Sequence, residues 1–373
     1  MAKELRVGVV GIGAMGAQHA RQIAGGAIPR AVLAAVCDAD PARTGGFGPA
    51  ARFTDAEDMI RSKAVDALVV ATPHPLHARA VVPALRAGLH VLVEKPVAAS
   101  KLQAQAMLAV PLKGGQAFGV AFHLRSFDVY RRLRTLVREG GLGRLHRFSY
   151  VVTDWFRTHR YYASAGWRGT WAGEGGGMLL NQCPHNLDIL QWLLGMPARV
   201  RAFCRFGRWH DIRVEDDVSA YLEWQGGFSG FFVASTGDAP GCDRLEIQGD
   251  LGRVVVEKEK VRFLRNDQSS AAFSLASPEP MARPGFREVD LEAAARPAGP
   301  PQNAVLENFA RAALDGAPLL APAAEGLAQV ELSNAMLHST FTAGMVELPL
   351  DAQAYERELE GRIAEERGGP GAF

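Results

Sequence analysis

At 373 residues the chain is longer than one hydrophobic core usually covers, so it is expected to divide into two domains of roughly 100 to 200 residues. Lys and Arg total 41 against 40 Asp and Glu, and no stretch sets basic residues among aromatics, which argues against a nucleic-acid partner. The opening MAKELRVGVV does not read as a signal peptide and no apolar run approaches the ~20 residues of a membrane span, so a soluble, cytoplasmic protein with no membrane partner is expected.

Leu5 to Val10 is a short apolar run, Gly11-Ile12-Gly13-Ala14-Met15-Gly16 follows directly, and Ala17 to Ala24 reads as helix. A lone GxGxxG says little, but strand and helix flank this one as a dinucleotide-binding turn requires. Gly11 permits the tight turn, Gly13 lets a pyrophosphate approach the backbone, and Gly16 lets the helix pack closely on the strand. The pyrophosphate then rests on the helix N-terminus, at Ala14 and Met15. The next run, Ala31 to Cys37, ends in Asp38, about 20 residues past the last glycine, where a carboxylate accepts hydrogen bonds from ribose hydroxyls and points to NAD. Arg43 lies close enough to keep NADP open, and a plain turn residue is the alternative reading of Asp38.

Alternation continues with a strand over Asp66–Ala71, a helix over Pro75–Ala87, a strand over His90–Val93, a helix over Lys101–Ala109 capped by Ser100, and a strand over Gln116–Phe122. This pattern predicts a doubly wound parallel sheet whose ligands sit at the strand C-termini. Two such ends carry chemistry. One is Thr72-Pro73-His74, with His77 on the next helix; both histidines either line the cofactor pocket or make loop and cap hydrogen bonds. The other is Glu94-Lys95-Pro96, where the turn places the Lys95 ammonium over the crevice, able to hold a substrate hydroxyl and stabilise developing negative charge on its oxygen.

A helix over Phe127–Gly140 closes the first part, giving expected bounds of 1–124 for a dinucleotide-binding domain, 125–354 for a substrate and oligomerisation domain, and 355–373 for a charged helix and glycine-rich tail. Strand-like segments at Arg144–Thr153, Arg199–Phe206, Val218–Trp224, Gly230–Ser235, Arg244–Gln248 and Arg253–Glu257 predict a large, mostly antiparallel sheet. The loop from Asp154 to Glu174 is dense in aromatic residues and arginine. It either contacts a polyhydroxylated ligand, through Tyr162, Trp167 and Arg168, or only seals the cleft. Asn266 to Pro301 reads as an irregular excursion, Ala304–Leu314 and Ala324–Leu337 as helices packing back on the first domain or the sheet, and Tyr355–Arg367 as a solvated surface helix. Cys37, Cys183, Cys204 and Cys242 lie far apart with no CxxC pair, so neither a metal site nor a disulfide is expected.

The stretch GEGGGMLLNQCPHNLDILQWLLG, Gly173–Gly195, reads as the reaction site. In a helix beginning near Asn181, His185 and Asp188 fall on the same face. Pro184 fits only a helix start, and Leu187, Leu190, Trp192 and Leu194 form the buried side. The three glycines, Gly175 to Gly177, would leave room for ligand. Oxidising a secondary alcohol needs a hydride acceptor, which no side chain supplies, and a base, which histidine supplies near neutral pH. His185 would take that role. Asn181 cannot take a proton and would position substrate or His185; Asp188 either orients the imidazole or is structural.

GIGAMG, ATPHPLHARAVVPALRAGLHVLVEKP, GGGMLLNQCPHNLD, LEIQGDLGRVVVE and VLENFARAALDG together resemble the Gfo/Idh/MocA-type oxidoreductases, across most of the chain. The resemblance implies an N-terminal Rossmann domain, a C-terminal α+β domain with an open-faced sheet, and homo-oligomers, dimers or tetramers, built through that sheet. It implies pyridine-nucleotide-dependent oxidation or reduction of a sugar, inositol or related polyol, with Lys95 near substrate and nicotinamide and His185 as acid/base. Asn181 stands where Asp is frequent in such proteins, and His74 where Asn is common. An NAD-dependent glycoside hydrolase or a non-catalytic nucleotide-binding regulator of the same fold are the alternatives.

Overall fold

The computed structural model describes residues 3–258, 260–291 and 299–368. Strands β1 (Leu5–Val10), β2 (Ala31–Cys37), β3 (Ala51–Phe53), β4 (Ala67–Val70), β5 (His90–Val93) and β6 (Phe118–Val120) form a parallel sheet in the order β3-β2-β1-β4-β5-β6. The central strands are Val, Leu and Ala with both faces covered, as helices on each side of a parallel sheet require. Strand order reverses between β1 and β4, so the crevice opens where Gly11 and Thr72 leave the sheet. Edge strand β3 and the helix Ala56–Arg61 were not expected from sequence; three half-exposed residues carry too short a pattern to read.

The second sheet has nine strands: β7 (Leu145–Val152), β8 (Arg199–Phe206), β9 (Glu215–Glu223), β10 (Ser229–Ser235), β11 (Asp243–Gly249), β12 (Gly252–Glu257), β13 (Lys260–Asn266), β14 (Phe286–Val289) and β15 (Val346–Glu347). Their order is β14-β13-β12-β11-β7-β10-β9-β8-β15, antiparallel throughout except for the β7–β10 pair. The expected excursion from Asn266 is thus partly regular, holding the helix Ser270–Ala276 and strand β14; its residues 292–298 lie outside the described residues. Burial alternates along β8 and β9, one face packing on helices and the other open. Helices Asp128–Arg138, Pro184–Leu194 and Ala323–Phe341 cover the inner face.

Helix Gln302–Asp315 joins the first sheet's core through Val305, Leu306 and Phe309, while Ala323–Phe341 reaches both sheets, and the backbone N–H of Val120 on β6 donates to Ala321 just before it. The charged helix Ala352–Gly368 is not the solvated element its composition suggests. Tyr355 and Leu359 are buried, Arg362 lies over the Phe341 ring at 3.6 Å, and the Glu366 carboxylate accepts from the backbone N–H groups of Trp171 and Ala172 at 3.1 and 2.9 Å. A stripe at spacing four, Tyr355, Leu359 and Ile363, drives this docking beneath an otherwise charged surface. The glycine-rich tail past Gly368 lies outside the described residues. Among the described residues no helix is long and apolar enough to cross a membrane.

Candidate active site

The glycine turn has the geometry a dinucleotide needs. Gly11 sits at φ +89°, and a Cβ there would stand 2.7 Å from the Thr72 backbone nitrogen; a Cβ on Gly16 would stand 1.8 Å from the Gly11 carbonyl oxygen. Each position therefore excludes a side chain for a different reason, a left-handed turn at one and helix-to-turn contact at the other. A Cβ on Gly13 would meet nothing within 4 Å, so this side of the turn is open. The helix Ala14–Ala24 beginning there has no side-chain cap, which leaves the first-turn N–H groups at Ala14, Met15 and Gly16 facing that opening without intrahelical acceptors. Asp38 is fixed beside it, Oδ2 accepting from Ile12 N at 2.7 Å and Oδ1 from Asp40 N at 3.0 Å. Arg43 is turned to Asp40, 3.4 Å away and more than half exposed, so it does not offset the Asp38 charge. Buried Thr72 Oγ1 has no protein partner and lies at the same strand end. Cradle, acidic residue and orphaned hydroxyl fit a dinucleotide.

Of the neighbouring candidates, some face the cleft and some serve the frame. His77 has Nδ1 3.2 Å from the Val97 carbonyl and Nε2 2.9 Å from that of Thr72, so both ring nitrogens are engaged by backbone. His74, after Pro73, puts Nδ1 3.4 Å from the Glu174 carbonyl, and burial holds it neutral, well below the usual imidazole range. Glu94 places Oε1 2.7 Å from His19 Nε2 and accepts from the Lys95 N–H through Oε2 at 3.1 Å, tying this turn to the helix Ala14–Ala24. Lys95 itself reaches across to the second sheet's elements, Nζ donating to the Asn181 carbonyl at 2.7 Å. Burial lowers its proton affinity, and the charges of Glu94 and Glu174 oppose that.

The helix carrying His185 begins at Pro184, not near Asn181. Asn181 lies in the preceding turn, its N–H on the Gly177 carbonyl at 2.9 Å and its side-chain amide on the Glu174 carboxylate, so it does not share a face with His185 and its amide makes no bond to it. His185 occupies the first turn, 7% exposed, its ring centroid 3.9 Å from that of His123 and 5.9 Å from that of Phe122. Burial first, then the charges of His123 and Lys95, holds it well below the usual imidazole range, so it is a neutral proton acceptor at pH 7. Its Nδ1 is buried and has no protein partner. Asp188 does not orient it. Both of its oxygens are taken by Arg125, Nε to Oδ2 at 2.8 Å and Nη2 to Oδ1 at 2.6 Å, and Gln191 adds a third bond at 2.9 Å. The expected one-face alignment overlooked a buried guanidinium arriving from the turn His123–Ser126.

The three glycines do not leave room for ligand either. A Cβ at Gly175 would stand 2.5 Å from Ala99 Cβ, and one at Gly177 would stand 2.1 Å from the Glu215 carbonyl oxygen. They allow close protein packing, and the Glu215 carboxylate pins the segment by accepting from Gly177 N and Leu179 N at 2.8 and 3.0 Å.

Two short helices, His159–Ala163 and Trp171–Glu174, shape the aromatic loop. The Arg168 guanidinium lies 4.4 Å from the rings of both Trp167 and Tyr161 and donates to the Tyr161 hydroxyl at 2.6 Å; Trp167 stands beside His74. Tyr162 turns inward instead, its hydroxyl 3.3 Å from Thr236 Oγ1 and its ring against His210. Tyr161, not Tyr162, is the tyrosine that stands beside Arg168. Sequence reasoning also missed His123, which sits in no recognisable pattern, and Glu174. The Glu174 carboxyl is 1% exposed, accepts from Gly169 N at 2.6 Å and from the Asn181 amide, and burial pushes it up to about 7 against those bonds and the charges of Arg168 and Lys95. Its place immediately before GGG was the available signal. Among the described residues no cluster of three His, Cys, Asp or Glu side chains is placed to hold a metal.

Comparison with known proteins agrees with this geometry. Residues 5–122 match the model of an oxidoreductase family with an NAD-binding Rossmann fold, and residues 130–255 match the GFO/IDH/MocA C-terminal domain. Inositol 2-dehydrogenase of Corynebacterium glutamicum (strain R) is 34% identical over 200 residues, 52% of this chain and 56% of that one. The 1,5-anhydro-D-fructose reductase of Ensifer adhaerens is 31% identical over 175 residues, 47% of this chain and 51% of that one. The chain thus spans about half the length of the curated relatives it matches. The WlbA dehydrogenase from Bordetella pertussis, solved in complex with NADH and UDP-GlcNAcA, superposes with a TM-score of 0.77 at 26% identity, covering 94% of this chain and 100% of that one.

Proposed function

Since the chain belongs to the GFO/IDH/MocA oxidoreductase family, we propose that it is an NAD-dependent dehydrogenase that oxidises a secondary alcohol of a sugar, inositol or related polyol. One observation carries the reading: Lys95, from the glycine-turn sheet, donates to the backbone carbonyl of Asn181 in the turn that leads into the His185 helix, and its charge reaches His185. Bound NAD supplies the hydride acceptor that no side chain offers. The turn from Gly11 to Gly16 and Asp38 would hold it, and a carboxylate with no cation paired to it among the described residues favours a ribose 2′-hydroxyl over a 2′-phosphate.

Lys95 Nζ donates to the substrate oxygen and stabilises its developing negative charge. His185, kept neutral by burial, takes the hydroxyl proton. Tyr161, Trp167 and Arg168 form a rim suited to a polyhydroxylated ring, with aromatic faces for C–H groups and a guanidinium for oxygens. The names of the similar inositol 2-dehydrogenases support the substrate class. The test is a panel of inositols and cyclic sugars offered with NAD and with NADP, followed by nicotinamide absorbance. Turnover of at least one polyol, faster with NAD, is expected; no turnover of any would overturn the reading.

The same reading includes a homo-oligomer, dimer or tetramer, built on the open sheet face. Phe203 and Phe231 are about half exposed there, and Tyr221 packs on Phe231 with ring centroids 5.3 Å apart. An apolar cluster on a sheet face between charged strand residues suits a partner surface. Phe231→Arg is expected to shift sedimentation toward monomer, and an unchanged coefficient would remove this face from the interface.

A further inference from the structure

The aromatic loop brings two guanidinium groups to one tyrosine. Arg168 lies 4.4 Å from the Tyr161 ring and 4.4 Å from the Trp167 ring; Arg157 lies 4.9 Å from the Tyr161 ring and 5.2 Å from that of Trp155. Both arginines are half-buried. Two cations held this close repel each other unless anions stand among them. The charge of Asp154 reaches Arg157 and that of Glu174 reaches Arg168, yet among the described residues neither carboxylate forms an ion pair with its arginine. Glu94 is the first carboxylate set against Lys95, and Glu174 serves both Lys95 and Arg168. Burial pushes the Glu174 carboxyl up to about 7, so near neutrality it meets two cations with a part charge.

Arg168 belongs to the crevice by contact. Its Nη1 donates to the Tyr161 hydroxyl at 2.6 Å, and the same hydroxyl accepts from the side-chain amides of Gln182 and Asn181 at 3.2 and 3.4 Å. The Asn181 carbonyl in turn accepts from Lys95 Nζ at 2.7 Å, so two residues separate the guanidinium from the ammonium. Trp167 stands against His74 at the end of β4, and the charge of Arg168 is felt at His74 and at Lys95. Nη1 is the one guanidinium nitrogen bonded to the chain, Nε is sealed without a partner, and Nη2 has no acceptor among the described residues. A planar cation held by two rings, with one end unspent and no ion pair, is prepared for an anionic oxygen group. We propose that the polyol of this site is acidic, a sugar or cyclitol whose ring carries a carboxylate or a phosphate, and that Arg168 binds this group while Lys95 holds the alcohol to be oxidised. Arg157 adds a second positive charge on the same tyrosine. The proposal rests on the dehydrogenase reading for what happens to the alcohol, and not for the binding of the anion.

The test is calorimetric titration of the full chain saturated with NAD. The probes are D-glucuronate and D-galacturonate, each against its neutral parent sugar, and D-glucose 6-phosphate against D-glucose. At least one acidic sugar is expected to bind about 10- to 100-fold more tightly than its parent, the worth of a charge-assisted hydrogen bond or a bidentate pair, and the uronate and phosphate arms tell which anion the site takes. In Arg168→Gln that preference falls to within about threefold, while Arg168→Lys, which keeps the charge and loses the planar fork, retains part of it. Neutral parents bound as tightly as every acidic sugar, no binding by any acidic sugar, or a preference that survives Arg168→Gln would each overturn the proposal. The comparison on the unaltered protein needs no substitution, so a poorly folding variant does not decide it. Turnover of neutral polyols with no preference for acidic ones would remove the anion site and keep the dehydrogenase reading; Arg168-dependent binding of an acidic sugar without turnover would do the reverse.

Discussion

His185→Ala should lower kcat by about 10²- to 10⁴-fold, the usual worth of a positioned general base, while the affinity for NAD stays near that of the unaltered protein. The two effects separate because the groups are far apart in the chain and in role. In the proposed reading the dinucleotide would rest on the Gly11–Gly16 turn and Asp38, whose geometry depends on the ends of β1, β2 and β4. The imidazole belongs to the first turn of Pro184–Leu194 and is packed against His123 and Phe122. Truncation removes the proton acceptor and one side of that packing without touching the cradle. Turnover measured beside calorimetric titration of NAD checks both halves: a rate like that of the unaltered protein would remove His185 from the mechanism, and a lost NAD affinity would mean that the two parts of the site are not separable.

The second large effect concerns stability. Arg125 is fully buried, binds both oxygens of Asp188, which is equally buried, reaches Glu325, and lies 5.2 Å from the Trp192 ring. Arg125→Met should cost about 3–5 kcal/mol in chemical denaturation at pH 7, because it strands a carboxylate in the core. Burial already raises the Asp188 carboxyl against the pull of Arg125, so the variant should take up a proton there and recover stability as pH falls. Arg125→Met with Asp188→Leu should regain most of the loss, since the charge that remains, on Glu325, is partly exposed rather than stranded in the core. A single variant as stable as the original would show that the pair is not what fixes the His123–Ser126 turn against the His185 helix.

What could be read from the sequence follows from where the information is local. The first sheet was legible almost strand by strand because its strands are continuous apolar runs, and the glycine turn announces itself through residues whose missing side chains are sterically required. The places of Lys95 just past a strand end and of His185 at a helix start were legible for a similar reason, each standing beside a proline. The errors lie where a side chain's partner comes from a distant segment. Asp188 has the right spacing to serve His185, yet Arg125, 63 positions earlier, takes it. Tyr161 and Tyr162 are adjacent, and it is Tyr162 that turns inward, onto His210 and Thr236 from distant segments. Glu366 caps the Trp171–Glu174 helix from the far end of the chain, and composition alone made its helix look solvated.

The most direct test of the central claim is a product balance. With a polyol turned over in the screen, NADH and the ketone derived from the alcohol should accumulate one for one, and both should vanish together in His185→Ala. Cleavage of a glycoside with free sugar released and no net NADH would contradict it, showing the same crevice to serve hydrolysis rather than oxidation.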